Sequence, residues 1–257
     1  MPLEIITIPC LSDNYAYLLH DAQSGQTAVV DVPEADPIRR ALAARGWRLS
    51  HIFLTHHHWD HIDGVAPLLE TNPAKVVGAR ADAHRLPDLD LAVAEGEGEP
   101  FEFGGEPVQV FDVSGHTLGH IAFYLPQSAA LFSADSLMAL GCGRLFEGTP
   151  AQMHASMEKL RALPAETMVY SGHEYTQSNA RFALSVDPDN ADLQARSTAI
   201  DAARARGEPT VPAPLSLELA TNPFLRAHDR SLARAIGMEG AAPVDVFTEL
   251  RARKDKF

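Results

Sequence analysis

The segment "LTHHHWDH", Leu54 to His61, decides the reading of this chain. It sets four histidines and one aspartate within eight residues, directly behind the apolar run Ile52, Phe53 and Leu54. A short apolar run ending in polar residues reads as a strand feeding a loop, and loops held by rigid elements are where function concentrates. In an extended loop, residues i and i+2 share a side, so His56 and His58 can converge on one ion while His57 points away. Asp60 and His61 are sequence neighbours and need a local turn to converge, which suggests two adjacent metals. A zincin helix fits less well, because the His57 to His61 spacing lacks the glutamate that such a helix uses as a base. The competing reading is a solvated polar loop, and the full spacing at a strand end argues against it.

One loop cannot fill two coordination shells. Further candidates stand at the ends of strand-like runs: His116 in "DVSGHTLGH", Asp135 in "LFSAD" and His173 in "VYSGHEY". Each alone is weak, since a lone strand-end histidine is more often structural. Together with His56, His58, Asp60 and His61 they make seven imidazole and carboxylate donors, a mixture suited to zinc, iron or manganese. His120 is expected to pack or hydrogen-bond near the site without ligating. Asp31, at the end of "AVVDV", is a candidate acceptor for the far nitrogen of a ligand imidazole. Asp63 receives no role.

The chain has 257 residues and a formal net charge of -13. That balance speaks against a nucleic-acid binder, whose affinity comes from clustered Lys and Arg. Cys10 and Cys142 offer neither a disulfide framework nor a Cys-x-x-Cys motif, and a reducing compartment fits best. "MPLEIITIPC" lacks a basic leader, and no apolar run approaches the roughly 20 residues of a membrane span. The expectation is a cytoplasmic protein that contacts no membrane.

Along the chain, "YAYLLHD" and "TAVVDV" read as a hairpin turning at Gly25. "DPIRRALAARG" reads as a helix with Asp36 as N-cap, Pro37 at its first position and Gly46 past its end. From Lys75 to Leu137 strands dominate, with "ALFSADSL" read as one of them. After His173 helix formers take over, interrupted by "EPTVPAPLSLELATNPF", read as a linker or loop. The expected division is 1–173 and 174–257, in an α/β chain whose two sheets are covered by helices.

With these residues in place, the chain resembles the metallo-β-lactamase superfamily and, within it, the hydroxyacylglutathione hydrolases, the second glyoxalase enzymes. The His56-x-His58-x-Asp60-His61 pattern points to the superfamily. "IPCLSDNYAYLL", "SGHTLGH", "GCGRLFEG", "SGHEYT", "TNPFLR" and "RARKDKF", in that order, resemble the narrower family over essentially the whole chain. The resemblance implies an αββα sandwich with a smaller C-terminal helical domain. It implies two divalent metal ions, zinc foremost with iron or manganese as alternatives. His56, His58 and His116 would hold one; Asp60, His61 and His173 would hold the other, with Asp135 bridging.

Asp60 and Asp135 would then serve catalysis, with a metal-bridging hydroxide as nucleophile. Substrate binding falls on Arg144, Phe146, Tyr175, Arg251 and Lys254, with Arg144 and Phe146 standing where relatives commonly carry Lys and Tyr. The implied reaction is hydrolysis of S-D-lactoylglutathione to glutathione and D-lactate, the second step of methylglyoxal detoxification, by a monomer acting on a small-molecule thioester. A thiolate, whose parent pKa is about 8.5, departs without a strong general acid, so no serine nucleophile is needed. The basic ending Arg251, Arg253, Lys254 and Lys256, opposed only by Asp255, suits capture of an anionic substrate.

Five other readings compete. An exported β-lactamase would carry a signal peptide, and a persulfide dioxygenase uses a single iron. A lactonase has no use for the C-terminal residues, while a nuclease needs a phosphate-binding surface. A metal storage or sensing module would close its shells with protein ligands. On the thioesterase reading, His58→Ala costs metal and turnover, Arg251→Ala chiefly raises KM, and His57→Ala changes little.

Overall fold

Parallel strands need a crossover, and antiparallel ones need only a turn; the first sheet uses both. The computed structural model describes residues 2–96 and 101–257. β1 (Glu4–Cys10) and β2 (Asn14–His20) pair antiparallel, with Glu4 opposite His20 and Cys10 opposite Asn14. β2 then forms the expected hairpin with β3 (Thr27–Val30), Tyr17 facing Val30. α1 (Ala35–Arg45) crosses over to β4 (His51–Leu54), and α2 (Trp59–Ile62) with α3 (Val65–Thr71) leads to β5 (Lys75–Ala79). β3, β4, β5 and β6 (Leu91–Val93) run parallel, so the sheet order is β1-β2-β3-β4-β5-β6.

β7 (Phe101–Phe103), β8 (Glu106–Asp112), β9 (Ile121–Leu125) and β10 (Ala130–Ala134) follow as antiparallel neighbours. The two sheets meet through aromatic rings. Phe53 of β4 packs edge-on against Phe101 and Phe103, at 5.5 and 5.6 Å, and tilted over Phe123 at 5.2 Å. Phe53, Phe103 and Phe123 are fully buried, and each such side chain contributes roughly 1.5–3 kcal/mol relative to exposure. α1 buries Ile38 and Leu42 and packs on β1 and α3.

Its start differs from the expected one. The helix begins at Ala35 behind Glu34, with Asp36 inside its first turn, while Gly46 caps its end as expected. No side chain caps the N-terminus; the Glu34 carboxylate is engaged elsewhere, accepting from the backbone N–H of Leu11. Pro37 is tolerated because the first turn needs no donor there.

The remaining elements are β11 (Leu137–Met138), β12 (Gly141–Cys142), α4 (Pro150–Arg161), β13 (Met168–Ser171), α5 (Thr176–Val186), α6 (Ala191–Ala205), β14 (Ala213–Pro214), α7 (Leu215–Thr221), α8 (Arg230–Ala235) and α9 (Pro243–Lys254). "ALFSADSL" is therefore not one strand: it breaks after Ala134, where φ is 42°, and leaves Asp135 on a turn. The stretch expected as a linker holds β14 and α7. Pro209, Pro212 and Pro214 lie before the helix, Pro214 serving as N-cap, and Pro223 follows its C-cap, so none interrupts it.

Two compact units result, one of residues 1–112 and 119–132, the other of 113–118 and 133–257. Within the second unit, residues 138–141 are bound to the C-terminal helices. Asn222 Nδ2 donates to the carbonyls of Met138 and Gly141, Asn179 Nδ2 to that of Ala139, and the Leu140 N–H to Glu218. Glu218 is fully buried and also accepts from Arg196 and Asn222.

Candidate metal centre

In open sheets with parallel strands, ligands collect beyond the carboxyl ends of those strands. In the first unit Asp31 follows β3 and Thr55 to His58 follow β4. Asp31 sits at φ 55° with 2% of its surface exposed. Its Oδ1 accepts from the Thr55 N–H at 2.9 Å, and its Oδ2 from Thr55 Oγ1 at 2.8 Å and from His61 Nδ1 at 2.8 Å. Thr55 Oγ1 directs its only proton at Asp31, so towards His56 Nδ1, at 3.0 Å, it accepts.

One carboxylate therefore sets two tautomers. With Nδ1 protonated on both rings, neutral His56 and His61 each present the Nε2 lone pair that a metal takes. The acceptor role expected for Asp31 is thus what the hydrogen bonds assign it. His56 Nε2 and His58 Nδ1 face one another at 3.2 Å. Two nitrogens on one tetrahedral zinc, each bonded at about 2.0–2.1 Å, stand about 3.3 Å apart, so the donors fit a shared cation.

α2 supplies the turn that places Asp60 and His61, with the His61 N–H bonded to the carbonyl of His58 at 2.9 Å. Asn14, at the start of β2, donates to the Asp60 carbonyl at 3.0 Å and to its Oδ2 at 3.1 Å. Sequence reasoning missed Asn14. It lies within the quoted "SDNYAYLL", but its partner is 46 residues away. His120 is fully buried and stacks on His56 at 4.5 Å and 12° between planes, the packing role expected of it. His57, expected as a bystander, is held by Asp82 at 2.9 Å. Asp63 is exposed at the C-cap of α2.

The second unit carries the other donors. His116 Nδ1 lies 2.7 Å from the Arg144 carbonyl, which only accepts, so Nδ1 holds the proton. Its Nε2 then meets Asp135 Oδ2 at 3.5 Å, and His173 Nε2 meets the same oxygen at 3.3 Å. For the neutral His116 tautomer this sets lone pair against lone pair, an arrangement that calls for a positive charge between them. All three residues are buried. The turn at Cys142 and Gly143 closes over Asp135: the Gly143 N–H donates to Ser136 at 3.0 Å, and a Cβ at 143 would stand 1.9 Å from the Asp135 carbonyl oxygen.

The substrate-binding candidates lie in this second unit. Phe146 stands against the His116 ring at 5.3 Å, and Tyr175 stacks on His173 at 4.6 Å and 6°. Both are exposed, as is Arg144, whose Nε is 3.9 Å from Asp255. Arg251 is different. It is 5% exposed, and its guanidinium donates to the Cys142 carbonyl at 3.0 Å and to Asp255 at 2.8 Å. It holds the turn that packs on Asp135. Lys254 donates to the Ser178 carbonyl at 3.3 Å, and burial, then the charges of Arg251 and Arg181, pull its pKa down to about 8. Cys10 and Cys142 are free buried thiols, each pushed by burial up to about 11.

Residues 12–173 match the family model of the metallo-beta-lactamase superfamily, and 174–257 match that of the hydroxyacylglutathione hydrolase C-terminus. The hydroxyacylglutathione hydrolase of Ruegeria pomeroyi is 66% identical over 257 residues, the whole of both chains. The crystal structure of the BLEG-1 B3 metallo-beta-lactamase superposes with a TM-score of 0.66 over 86% of this chain and 99% of that one, at 22% identity, a likeness of fold. A protein crystallised in a di-iron-bound form superposes with a TM-score of 0.60 over 86% of this chain and all of its own, at 27% identity. The fold is thus the metallo-beta-lactamase fold, with a C-terminal helical region of the hydroxyacylglutathione hydrolase type. Among the described residues, no helix is long and apolar enough to cross a membrane.

Proposed function

The chain belongs to the metallo-beta-lactamase superfamily and, within it, to the hydroxyacylglutathione hydrolases, and from that premise we propose that it hydrolyses S-D-lactoylglutathione to glutathione and D-lactate. The observation that carries this reading is the donor set. Neutral imidazoles fixed by Asp31 and by the Arg144 carbonyl offer Nε2 lone pairs, and the Asp135 oxygen lies against two ring nitrogens. These are sites made for cations, and the family and clusters together suggest a dinuclear divalent centre.

His56, His58 and His116 are our assignment for one metal; Asp60, His61 and His173 are that for the other, with Asp135 shared. Zinc suits this oxygen and nitrogen set best, though iron also uses it. Two such cations, when bound, acidify a shared water and polarise a carbonyl.

This chain's own residues do the rest. Asp31 holds His56 and His61 in the ligand tautomer, and Asn14 steadies Asp60. Arg144, Tyr175 and Lys254 engage the glutathionyl moiety, Phe146 supplying an apolar wall where a phenol would add a hydrogen bond. Arg251 supports them from beneath by fixing the 142–143 turn. The glutathionyl thiolate leaves unassisted, at its parent pKa of about 8.5. We place the functional division at 173 and 174, the protein acting as a cytoplasmic monomer.

The test is a substrate panel under one set of conditions: S-D-lactoylglutathione, a lactone and a β-lactam. The reading expects the thioester to be preferred by at least ~100-fold in kcat/KM, about 2.7 kcal/mol of transition-state discrimination. Preference for the lactone overturns it.

A further inference from the structure

A run of three histidines poses a problem that the spacing rule does not solve. A slip of one residue in an extended segment exchanges its two faces, so His57 competes with His56 and His58 for a place in the coordination shell. Asp82 resolves the competition. It closes a 3₁₀ turn, Arg80–Asp82, behind β5 and is 1% exposed. Its Oδ2 lies 2.9 Å from His57 Nδ1, and its Oδ1 accepts from Arg85. A carboxylate only accepts, so the His57 proton sits on Nδ1 and points at Asp82.

The position of this carboxylate also explains a glycine. A Cβ at residue 119 would lie 2.2 Å from Asp82 Cγ, too close for any side chain at that point. The next residue, His120, stacks on His56. The loop is thus gripped at two alternate residues, Thr55 bound to Asp31 and His57 bound to Asp82.

We propose that Asp82 is a positioning residue of the metal centre: by holding His57 it keeps that imidazole from displacing His56 or His58 in the coordination shell. This rests on the metal-centre reading given above. Arg85 holds the carboxylate in place, and glycine at 119 makes room for it.

The test is release of zinc from the loaded protein to a chromophoric chelator, together with the visible spectrum of the cobalt-substituted protein and steady-state kinetics. Asp82→Ala is expected to bind one metal about 10- to 100-fold more weakly, with a changed cobalt spectrum. Its kcat should fall while KM stays within about twofold. Asp82→Asn keeps an oxygen that accepts from His57 Nδ1, and is expected to recover affinity to within about threefold of the parent. Once His57→Ala is in place, adding Asp82→Ala should change little, because the pair acts as one unit.

Parent-like affinity and spectrum in Asp82→Ala overturn the proposal, as does Asp82→Asn proving as weak as Asp82→Ala. A parent protein that takes up no metal overturns the metal-centre reading itself, and this inference with it.

Discussion

Asp31→Ala removes one small carboxylate on which two metal-ligand candidates depend. Asp31 accepts three hydrogen bonds from groups that are themselves buried: the Thr55 N–H, Thr55 Oγ1 and His61 Nδ1. A buried donor left without its acceptor costs roughly 1–3 kcal/mol. The three share one network and do not add fully, so the loss comes to about 3–5 kcal/mol. Residue 31 sits at φ 55°, where aspartate is better tolerated than alanine, which adds about 1 kcal/mol. For a chain of this size each kcal/mol moves Tm by about 2–4 °C, so the variant should melt about 10–20 °C lower. Loss of the tautomer control on His56 and His61 should also weaken metal binding about 10- to 100-fold. Asp31→Asn tolerates the same backbone and keeps one acceptor, so it should fall between. Calorimetric melting and metal content after dialysis against a weak chelator read both effects. A variant that melts with the parent and keeps its full metal load refutes the reasoning.

Lys254, whose pKa burial and neighbouring cations lower to about 8, gives a pH signature. KM for the anionic thioester should be flat below about pH 8 and rise above it as the ammonium is lost, and Lys254→Met should raise KM at pH 7 and remove that rise. The folded protein holds this proton less tightly than the unfolded chain, so the Lys254 contribution to stability increases from about pH 8 towards the unfolded value of 10.5; urea midpoints at either end, in parent and Lys254→Met, check the sign. Glu218→Ala strips the buried Arg196 guanidinium of its carboxylate and should cost about 3–5 kcal/mol in denaturant unfolding. Replacing both residues with apolar ones should recover much of it. Arg251→Ala leaves the Cys142 carbonyl without its donor, at about 1–3 kcal/mol. Because that turn packs on Asp135, kcat should fall along with Tm, and a change confined to KM would return Arg251 to direct substrate contact.

The strand and loop around "LTHHHWDH" were legible because apolar periodicity and ligand spacing are local properties of sequence. The turn that Asp60 and His61 required is α2, four residues long. Asp31 was legible for the same reason, as an acid at a strand end. Asn14 and Asp82 were not, since their partners lie 46 and 25 residues away and no periodicity links them. The Asp36 cap failed because Glu34 is drawn to the backbone of Leu11, a tertiary contact that shifts the helix start. The linker read from its prolines concealed α7, because a proline ahead of a helix and one within it look alike until the helix start is known. Arg251 was read as a cation awaiting substrate; its burial against Cys142 and Asp255 shows a guanidinium already engaged.

The central claim is a metal-dependent thioester hydrolysis built on seven donor side chains. Its most direct test follows one preparation through metal quantification and S-D-lactoylglutathione turnover as purified, after exhaustive chelation, and after adding back zinc, iron or manganese. The account predicts two divalent ions per chain, turnover lost on chelation, and turnover regained in proportion to the metal restored. Full turnover in the metal-stripped protein, or two bound ions with no thioester cleavage, would contradict it.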